Sequence, residues 1–293
     1  MEQEEKALAK RIIKAQKDEA NGAAIYAFMA KKQKKKHPEN AQLLEQMSHD
    51  EMKHYEMWAA LTHKSFKAHV TYLKILVVVM GFTFVLKKME KGEGFGQKEY
   101  AELSKSYPQA ASMLEDEKRH EGEVEGMLDE ERLHYVGSMV LGLNDALVEL
   151  TGAITGVTFS LANTKAVALT GIVTGFAATL SMMASNYLAQ SAEGHKDALK
   201  SSFYTGAAYI FTVALLVLPY LCFDNSLYLA AFGVMIAEVV LEIAFFNYYI
   251  SVAQEKPFFK HFLLMVSISL GVAAISYGIG LLANLFLGVT TAA

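Results

Sequence analysis

The chain has 293 residues, which exceeds the usual size of one domain, and most of its charged side chains precede about residue 135. The formal net charge of −4 at pH 7 therefore averages a charged first half and an apolar second half. A single cysteine, Cys222, excludes an intrachain disulfide and argues against a thiolate metal site, and no nucleic-acid signature is present, so we expect no nucleic-acid partner.

The first half is predicted to fold as four long helices. Residues 5–36 show helical periodicity, and Pro38 interrupts them because proline lacks an amide donor and restrains its predecessor. The glycine-rich stretch 92–96 and then Pro108 separate the third long helix from the fourth, with a short helix between them. The sequence thus predicts a four-helix bundle with one embellished connection, whose long helices cover 5–36, 40–62, 68–91 and 108–133.

Two conspicuous segments of this half are predicted to have only structural roles. The apolar stretch from Ile75 to Leu86 has about a dozen residues, whereas a membrane span needs about 20, so we predict a buried bundle helix there. The basic run KKQKKKH, Lys31 to His37, ends a helical pattern. We predict that it forms a solvated face rather than a phosphate or lipid site.

Two Glu-x-x-His quartets are the strongest chemical signal in the first half. On a helix, the i, i+3 spacing places the carboxylate and the imidazole on one face, so two such helices can offer four ligands to two metal ions. A bundle that binds two metals also takes one Glu from each of its other two helices. Carboxylates with imidazoles suit iron or manganese. The candidate metal ligands are Glu19, Glu51, His54, Glu90 or Glu93, Glu117 and His120.

The first half resembles the rubrerythrin branch of the ferritin-like superfamily. The resemblance is carried by KDEANGAAIYAFMA and SHDEMKHYEMW, within residues 11–62, and by LEDEKRHEGEVEGML. Glu19 and Tyr26 match the family's first helix, and DEMKH and DEKRH match its two Glu-x-x-His motifs. The resemblance implies a non-haem di-iron site with ferroxidase or peroxidase chemistry. One Cys cannot supply the family's Cys-rich rubredoxin module, and the third-helix ligand stays open between Glu90 and Glu93.

The second half contains five apolar segments, each near or above the length that spans a bilayer, which predicts an integral membrane protein. The N-terminal sequence MEQEEKALAKRI lacks the apolar core of a secretory signal, so we expect the first half to be cytosolic. The loops that would share this side carry four lysines, in agreement with the positive-inside rule, and the C-terminus would lie outside the cell membrane. The expected spans are 138–161, 166–190, 203–222, 227–251 and 261–288.

Acidic side chains occur inside two of these spans. Asp145 and Glu149 lie four residues apart in the first span, and Glu238 and Glu242 lie four apart in the fourth, so each pair shares one helix face. An acid at the bilayer centre costs about 2.5–3.5 kcal/mol on insertion scales. Four such acids predict an interior polar pathway.

Two methionines of the second span are predicted to lie at a matching depth. Along their helices, Met182 and Met183 differ from Asp145 and Glu242 by only about 5 Å, counted from the cytosolic side. Carboxylates and a thioether could therefore share one layer. A thioether favours a softer divalent ion than Mg²⁺ or Ca²⁺.

The second half resembles the vacuolar iron transporter family. GLNDALVELTGAITGV, at Gly142 to Val157, resembles the family's Asn-Asp segment, and AATLSMMASNYLAQSAE resembles its Ser-Met-rich segment. The resemblance implies a five-span homodimer that moves Fe²⁺ out of the cytosol in exchange for protons, along a path between the subunits. By motif, it assigns Asp145 and Met183 to the translocation site, with Glu149 and Met182 beside them. Asn186 stands where the family usually has Glu.

Together these patterns predict an all-α protein with a ferritin-like metal-binding bundle at 1–135 and a five-span membrane domain at 136–293. The hypothesis is a proton-coupled exporter of cytosolic Fe²⁺ or Mn²⁺ whose bundle captures, senses or oxidises the metal. The alternative is a membrane-anchored di-iron oxidase or peroxidase without transport. The transport pathway would use Asp145, Glu149, Met182, Met183, Glu238 and Glu242.

Overall fold

The computed structural model describes residues 2–127, 135–253 and 256–287, apart from the side chains of residues 2–5, 90–96, 98–99, 125 and 287. Every regular element in these ranges is a helix, and the chain divides into two compact units, residues 1–133 and 134–293. Each unit has its own packed core.

The first unit is built from four long helices and one short helix. The prediction of an all-α, ferritin-like bundle is confirmed. Pro38 opens the second helix, where its missing amide donor costs nothing, and His63 closes that helix with a left-handed φ of 53°. The helices are α1 (Glu2–Gln33), α2 (Pro38–Thr62), α3 (Thr71–Val79), α4 (Phe82–Leu103) and α5 (Gln109–Met127).

Aromatic packing closes one end of the bundle. Trp58 of α2 is almost fully buried, stacks on Tyr100 of α4 at 6.2 Å between ring centroids, and meets the ring of Tyr107 edge-on. Ile12 of α1 and Met113 of α5 pack into the same cluster. These contacts bring α1, α2, α4 and α5 to one core, beside which the metal-ligand candidates lie.

The predicted helix over 68–91 is wrong, because the chain breaks at Gly81. Gly81 has a φ of +96°, a conformation that side chains with a Cβ rarely adopt, and it separates α3 from α4. Phe82 to Leu86 are buried as expected, but Ile75 and Val78 are exposed. The helix α4 then continues to Leu103 through the glycine-rich stretch that was expected to interrupt it.

The second unit contains five helices that are long and apolar enough to cross a bilayer, which confirms the five predicted spans. A short 3-10 turn, Asn225–Leu227, precedes the fourth of them. The predicted ends differ from the observed ends by a few residues, as expected for helix termini. The helices are α6 (Val136–Leu161), α7 (Thr164–Ala192), α8 (Ala198–Cys222), α9 (Tyr228–Ala253) and α10 (Phe258–Leu287).

Close helix packing in the second unit depends on small residues of α6. A Cβ on Gly152 would lie 2.7 Å from a methyl group of Val272 in α10, and a Cβ on Gly142 would collide with the backbone of Thr205 in α8. Because neither glycine carries a side chain, α6 approaches both neighbours closely. The acids of α6 are thereby held next to the polar side chains of α8.

Candidate metal centre

Four buried side chains from three helices converge inside the bundle. Glu19 comes from α1, Glu51 and His54 from α2, and Glu117 from α5, and one ligand atom of each lies within 4.8 Å of the others. Each side chain is at most 5% exposed. Gly22 makes room for this cluster, because a Cβ there would lie 2.7 Å from Oε2 of Glu51. Three carboxylates and an imidazole thus face one small volume.

His120 of α5 also contacts the cluster. Its Nδ1 atom lies 3.4 Å from Oε1 of Glu51, while Nδ1 of His54 lies 3.6 Å from Oε2 of Glu19. Both Nδ1 atoms are buried and have no hydrogen-bond partner among the described residues. A buried polar atom without a partner is costly, and a metal ion would satisfy both imidazoles. This donor set fits iron or manganese.

An aspartate directly precedes the glutamate of each quartet, and it contacts the histidine of the other quartet on the ring nitrogen that faces away from the cluster. Nε2 of His54 lies 3.2 Å from Oδ2 of Asp116, and Nε2 of His120 lies 3.5 Å from Oδ2 of Asp50. Arg119 donates to both aspartates, at 2.7 Å to Asp50 and 2.8 Å to Asp116. The two quartets therefore brace each other across α2 and α5, with both Nδ1 atoms turned toward the carboxylates.

Charge pairing sets the protonation of this network. Burial raises the pKa of Asp50, but Lys53, His120 and Arg119 outweigh it and leave that pKa below its usual value. Burial lowers the pKa of His54, but Glu19 and Asp116 raise it above normal. The pKa of His120 is lowered, chiefly because burial disfavours its charged form. The two imidazoles therefore differ in basicity although they occupy equivalent positions.

Tyr100 of α4 is a site residue that the motif search missed. Its hydroxyl donates a short hydrogen bond to Oε1 of Glu19. Burial and the charges of Glu19, Glu117 and Glu51 raise the pKa of Tyr100 well above its usual value, so this phenol stays protonated and remains a donor. Burial raises the pKa of Glu19, but its interactions with Glu51, His54 and Tyr100 outweigh burial and leave that pKa below its usual value.

The choice between Glu90 and Glu93 lies outside the described residues. Both positions belong to α4, whose backbone is helical there, but their side chains are among those that the structure does not describe. The third-helix ligand therefore remains a prediction. Asp50 and Asp116 did carry a signal in the sequence, since an aspartate directly precedes the glutamate of both quartets.

Two acids of the membrane unit accept hydrogen bonds from hydroxyl groups on one face of α8, and we call this line of polar groups the track. Tyr209 of α8 donates to Oε2 of Glu149 at 2.8 Å, and Thr212, three residues later, donates to Oε1 of Glu242 at 2.6 Å. One face of α8 thus connects the acid pair of α6 with that of α9. The Oε2 atom of Glu242 is buried and has no hydrogen-bond partner among the described residues.

The remaining acids are less enclosed. Asp145 and Glu238 are half-buried, and Glu149 is exposed on the surface of the single chain. Oε2 of Glu238 is nevertheless buried without a hydrogen-bond partner in the part of the chain that the structure describes. Asp145 lies one helical turn before Glu149 on the same face of α6. These carboxylates therefore have fewer protein partners than those of the bundle.

The two methionines occupy different surroundings. Met183 packs so closely on Gly206 of α8 that no side chain could replace this glycine without displacing the thioether. Met182 packs against the apolar core of the unit. Asp145 and Met183 each lie nine residues, about 14 Å, from the same-side ends of their helices, and Glu242 lies eleven residues, about 17 Å, from its end.

Asn186 locks α7 to α8. It is buried, and its amide group donates to the hydroxyl of Thr205 in a short hydrogen bond and to the carbonyl and hydroxyl oxygens of Ser201 at 3.3 Å. Thr205 in turn donates to the carbonyl of Ser138 in α6. The side chain at this departure from the resembled family is therefore engaged in helix packing.

Comparison with known proteins supports both resemblances. Residues 11–137 match the family model described as Rubrerythrin, and residues 136–197, which cover the first two spans, match the model described as VIT family. No curated protein and no solved structure matches the chain. The first match indicates a di-iron-binding domain, and the second, with five apolar helices, indicates a membrane protein that transports metal.

Proposed function

We propose that this chain, which joins a rubrerythrin-type bundle to a VIT-type membrane domain, exports Fe²⁺ from the cytosol in exchange for protons, with Mn²⁺ as a second substrate. The acids inside the spans carry this proposal. An acid at the bilayer centre costs about 2.5–3.5 kcal/mol, and helices that served only as an anchor would have no use for Asp145, Glu238 and Glu242.

Carboxylates in such a setting can exchange metal for protons. A carboxylate binds a metal ion only in its deprotonated form, so a proton and Fe²⁺ compete for the same oxygens. The track from Asp145 and Glu149 through Tyr209 and Thr212 to Glu242 offers acids at successive positions. We propose that the metal is passed along these acids and that protons occupy them on the return, with Met182 and Met183 favouring a soft divalent ion.

The bundle is proposed to capture or sense cytosolic iron before export. Glu19, Glu51, His54, Glu117 and His120 would hold the ions, and bound iron would supply one-electron redox chemistry there. Oxidation inside the bundle would yield Fe³⁺, a poor substrate for the span acids because of its low solubility. Capture or regulation therefore suits an exporter better than storage. The chain's own part is to orient both imidazoles and keep Tyr100 as a donor to Glu19.

A homodimer is part of the proposal. Glu149 is exposed on the single chain although it lies in the interior of a membrane-spanning helix. A charged group that faces lipid at this depth is unfavourable, and a second copy could cover it. The transport path would then lie next to the contact between the two copies, with the cytosolic bundle on the side from which metal is taken.

Metal flux in proteoliposomes tests the exporter. With an imposed proton gradient, the wild-type chain should move Fe²⁺ and Mn²⁺ in the direction opposite to the proton flow, and Asp145→Asn should reduce the flux to the level of empty liposomes. Asp224→Asn, which removes an exposed acid outside the spans, is the matched control and should leave the flux unchanged. Undiminished flux in Asp145→Asn would refute the site assignment, and no flux for any divalent metal would refute the exporter.

A second candidate, a membrane-anchored di-iron oxidase or peroxidase, is favoured by the convergence of three carboxylates and an imidazole in the bundle. Glu19, His54, His120 and their bracing aspartates would serve an oxidase equally well. Measurements on one preparation of the purified chain distinguish the two candidate functions. An oxidase consumes oxygen or peroxide with Fe²⁺ in detergent whether or not Asp145 is present, whereas an exporter loses its flux with Asp145.

A further inference from the structure

One surface of the bundle combines exposed apolar side chains with lysines. On α3, Tyr72, Ile75, Val78 and Val79 recur at helical spacing and are each between 56% and 61% exposed. We call these four residues the apolar strip. An exposed apolar face on a short helix is unusual for a protein surface and marks an interaction site. The sequence had predicted burial for this segment, so the bundle core does not explain its composition.

The strip adjoins the basic run at the end of α1. Phe28 of α1 has Nζ of Lys74, from α3, 5.4 Å from its ring centroid and Nζ of Lys32, from α1, 5.7 Å from it. Phe28 therefore joins the two helices through a pair of cation–π contacts. Lys31, Lys32, Lys34, Lys35 and Lys36, which we call the lysine run, are all exposed. The sequence pattern alone predicts a solvated face for this run rather than a lipid site, and it is the apolar strip beside the run that favours lipid.

No acid offsets these lysines along either segment. Residues 20–38 and 57–89 contain no Asp or Glu, and the second segment also brings Lys64 and Lys67. A surface that pairs apolar side chains with lysines, and whose two segments carry no acid of their own, matches the interface of a bilayer, where apolar groups enter the acyl boundary and lysines meet anionic headgroups. Binding by the strip alone or by the lysines alone would be weak, but both together provide two attachment signals.

We propose that the apolar strip and the lysine run form a docking surface for anionic phospholipid. The chain's own connectivity favours this occupant, because only nine positions separate Met127, at the end of α5, from Val136, at the start of a membrane-spanning helix. Even fully extended, nine residues reach about 30 Å, so the bundle experiences a high local concentration of lipid.

A second copy of the chain is a poorer occupant of this surface. In a symmetric contact between two copies, each patch meets its own equivalent, so the lysine run of one copy would approach that of the other. Like charges facing each other weaken such a contact. Four exposed apolar side chains on the nine-residue helix α3 also provide little area for a stable protein interface.

The test uses the full chain in lipid nanodiscs and does not depend on transport. In a Cys222→Ser background, an environment-sensitive fluorophore is attached at Val78→Cys, and nitroxide-labelled lipid serves as quencher. Ala111→Cys, an exposed position on α5, is the matched control. Its neighbours Ala110 and Met113 belong to the same packed cluster as Ile12 of α1, and Ile12 lies about 24 Å along that helix from Phe28. The control position is therefore far from the proposed docking surface.

We expect the label at Val78→Cys to be quenched in discs that contain phosphatidylglycerol, more weakly in phosphatidylcholine alone, and the label at Ala111→Cys to be unquenched in both. Replacing Lys31, Lys32, Lys34 and Lys35 by Gln should lower the bound-to-free ratio by about fivefold for each lysine near the surface, while the Lys→Arg versions retain binding. Because these lysines are exposed, the fold should persist, and circular dichroism checks it.

Three results would overturn the proposal. The first is a label at Val78→Cys that stays unquenched in both lipids, and the second is quenching that the Lys→Gln changes leave intact. The third is a blue-shifted but unquenched label whose shift depends on two copies per disc, which would identify a second copy as the occupant. Loss of metal flux in any variant bears on the proposed transport and not on this surface.

Discussion

The two units use the same carboxylate chemistry in opposite ways. In the bundle, three glutamates and two histidines converge, and two aspartates and Arg119 brace the histidines from behind. In the membrane unit, the acids are spread along α6 and α9, and each of two has one hydroxyl donor from α8. Convergent, braced ligands suit tight binding, whereas spaced, sparsely held acids suit binding followed by release. The arrangement of partners, rather than the ligand type, would distinguish the proposed capture site from the proposed path.

The largest expected effect comes from removing both imidazoles of the bundle. His54→Ala with His120→Ala should lower the affinity of the bundle for iron by at least about 100-fold, enough to empty it on desalting, because even partners outside the ligand set are worth about 10–100-fold in metal affinity. The measurement is metal content after loading and desalting. Exposed His49 and His69, replaced by Ala together, are the control and should leave it unchanged.

The same double variant tests whether the two units have separate roles. Flux through the membrane unit at high external metal should persist, because the span acids are intact. Loss of flux at every metal concentration would mean that the bundle is part of the path, and the contrast between capture and conduction would fail.

Replacing Asp50 or Asp116, the aspartates that contact the two histidines, should have the next largest effect on metal affinity. Asp116→Asn leaves Nε2 of His54 without its carboxylate, and metal affinity of the bundle should fall by about 10–100-fold. Asp50→Asn should act on His120 to a similar extent. Titration with Mn²⁺ measures both. Glu115→Gln, one residue before Asp116 and exposed, is the control. Equal affinity in Asp116→Asn and the control would show that the imidazoles orient themselves without the braces.

In the membrane unit, removing one hydroxyl donor to an acid should have a smaller effect than removing an aspartate of the bundle. Tyr209→Phe removes the donor to Glu149, and Thr212→Val removes the donor to Glu242. Hydrogen bonds between membrane helices average about 0.6 kcal/mol and reach about 1.7 kcal/mol, so flux at limiting metal should change by about threefold to about 20-fold. Thr170→Val is the control, since among the described residues its hydroxyl donates to the carbonyl of Ala166, within its own helix. A complete loss of flux would show that one donor organises the path as rigidly as the bundle organises its cluster.

The two units also differ in how far their sequences predict their sites. Glu51 and His54 are three residues apart, so local helix geometry alone places them on one face, and the quartets therefore indicate a cluster before any fold is known. Tyr100 lies 81 residues from Glu19 and reaches it only through the packing of α4 on α1. A contact of that kind has no local pattern.

The fold, like the site, could be predicted where local sequence decides it and not where packing decides it. The five spans could be predicted because length and hydropathy decide them, and a bilayer requires every backbone group to be paired within the helix. The break at Gly81 could not, since the apolar sequence on both sides suits one continuous helix, and only the positive φ of Gly81 and the burial of Phe82 and Phe84 redirect the chain. Tyr209 and Thr212 likewise form no local sequence pattern, because they meet Glu149 and Glu242 only through the packing of α8 against α6 and α9.

Replacing Asn186 should have the smallest effect, and it tests whether this side chain of the membrane unit serves helix packing or the metal path. If it belongs to packing rather than to the path, Asn186→Ala should cost about 0.6–1.7 kcal/mol of stability, the range for a polar contact between membrane helices. The metal concentration at half-maximal flux should stay unchanged, because Thr205 keeps its bond to the carbonyl of Ser138 and the acids keep their donors. Thermal unfolding in detergent and flux in proteoliposomes measure the two quantities. A shifted half-maximal metal concentration at unaltered stability would instead place Asn186 among the metal ligands. The track would then include the contact between α7 and α8 that Asn186 makes with Ser201 and Thr205.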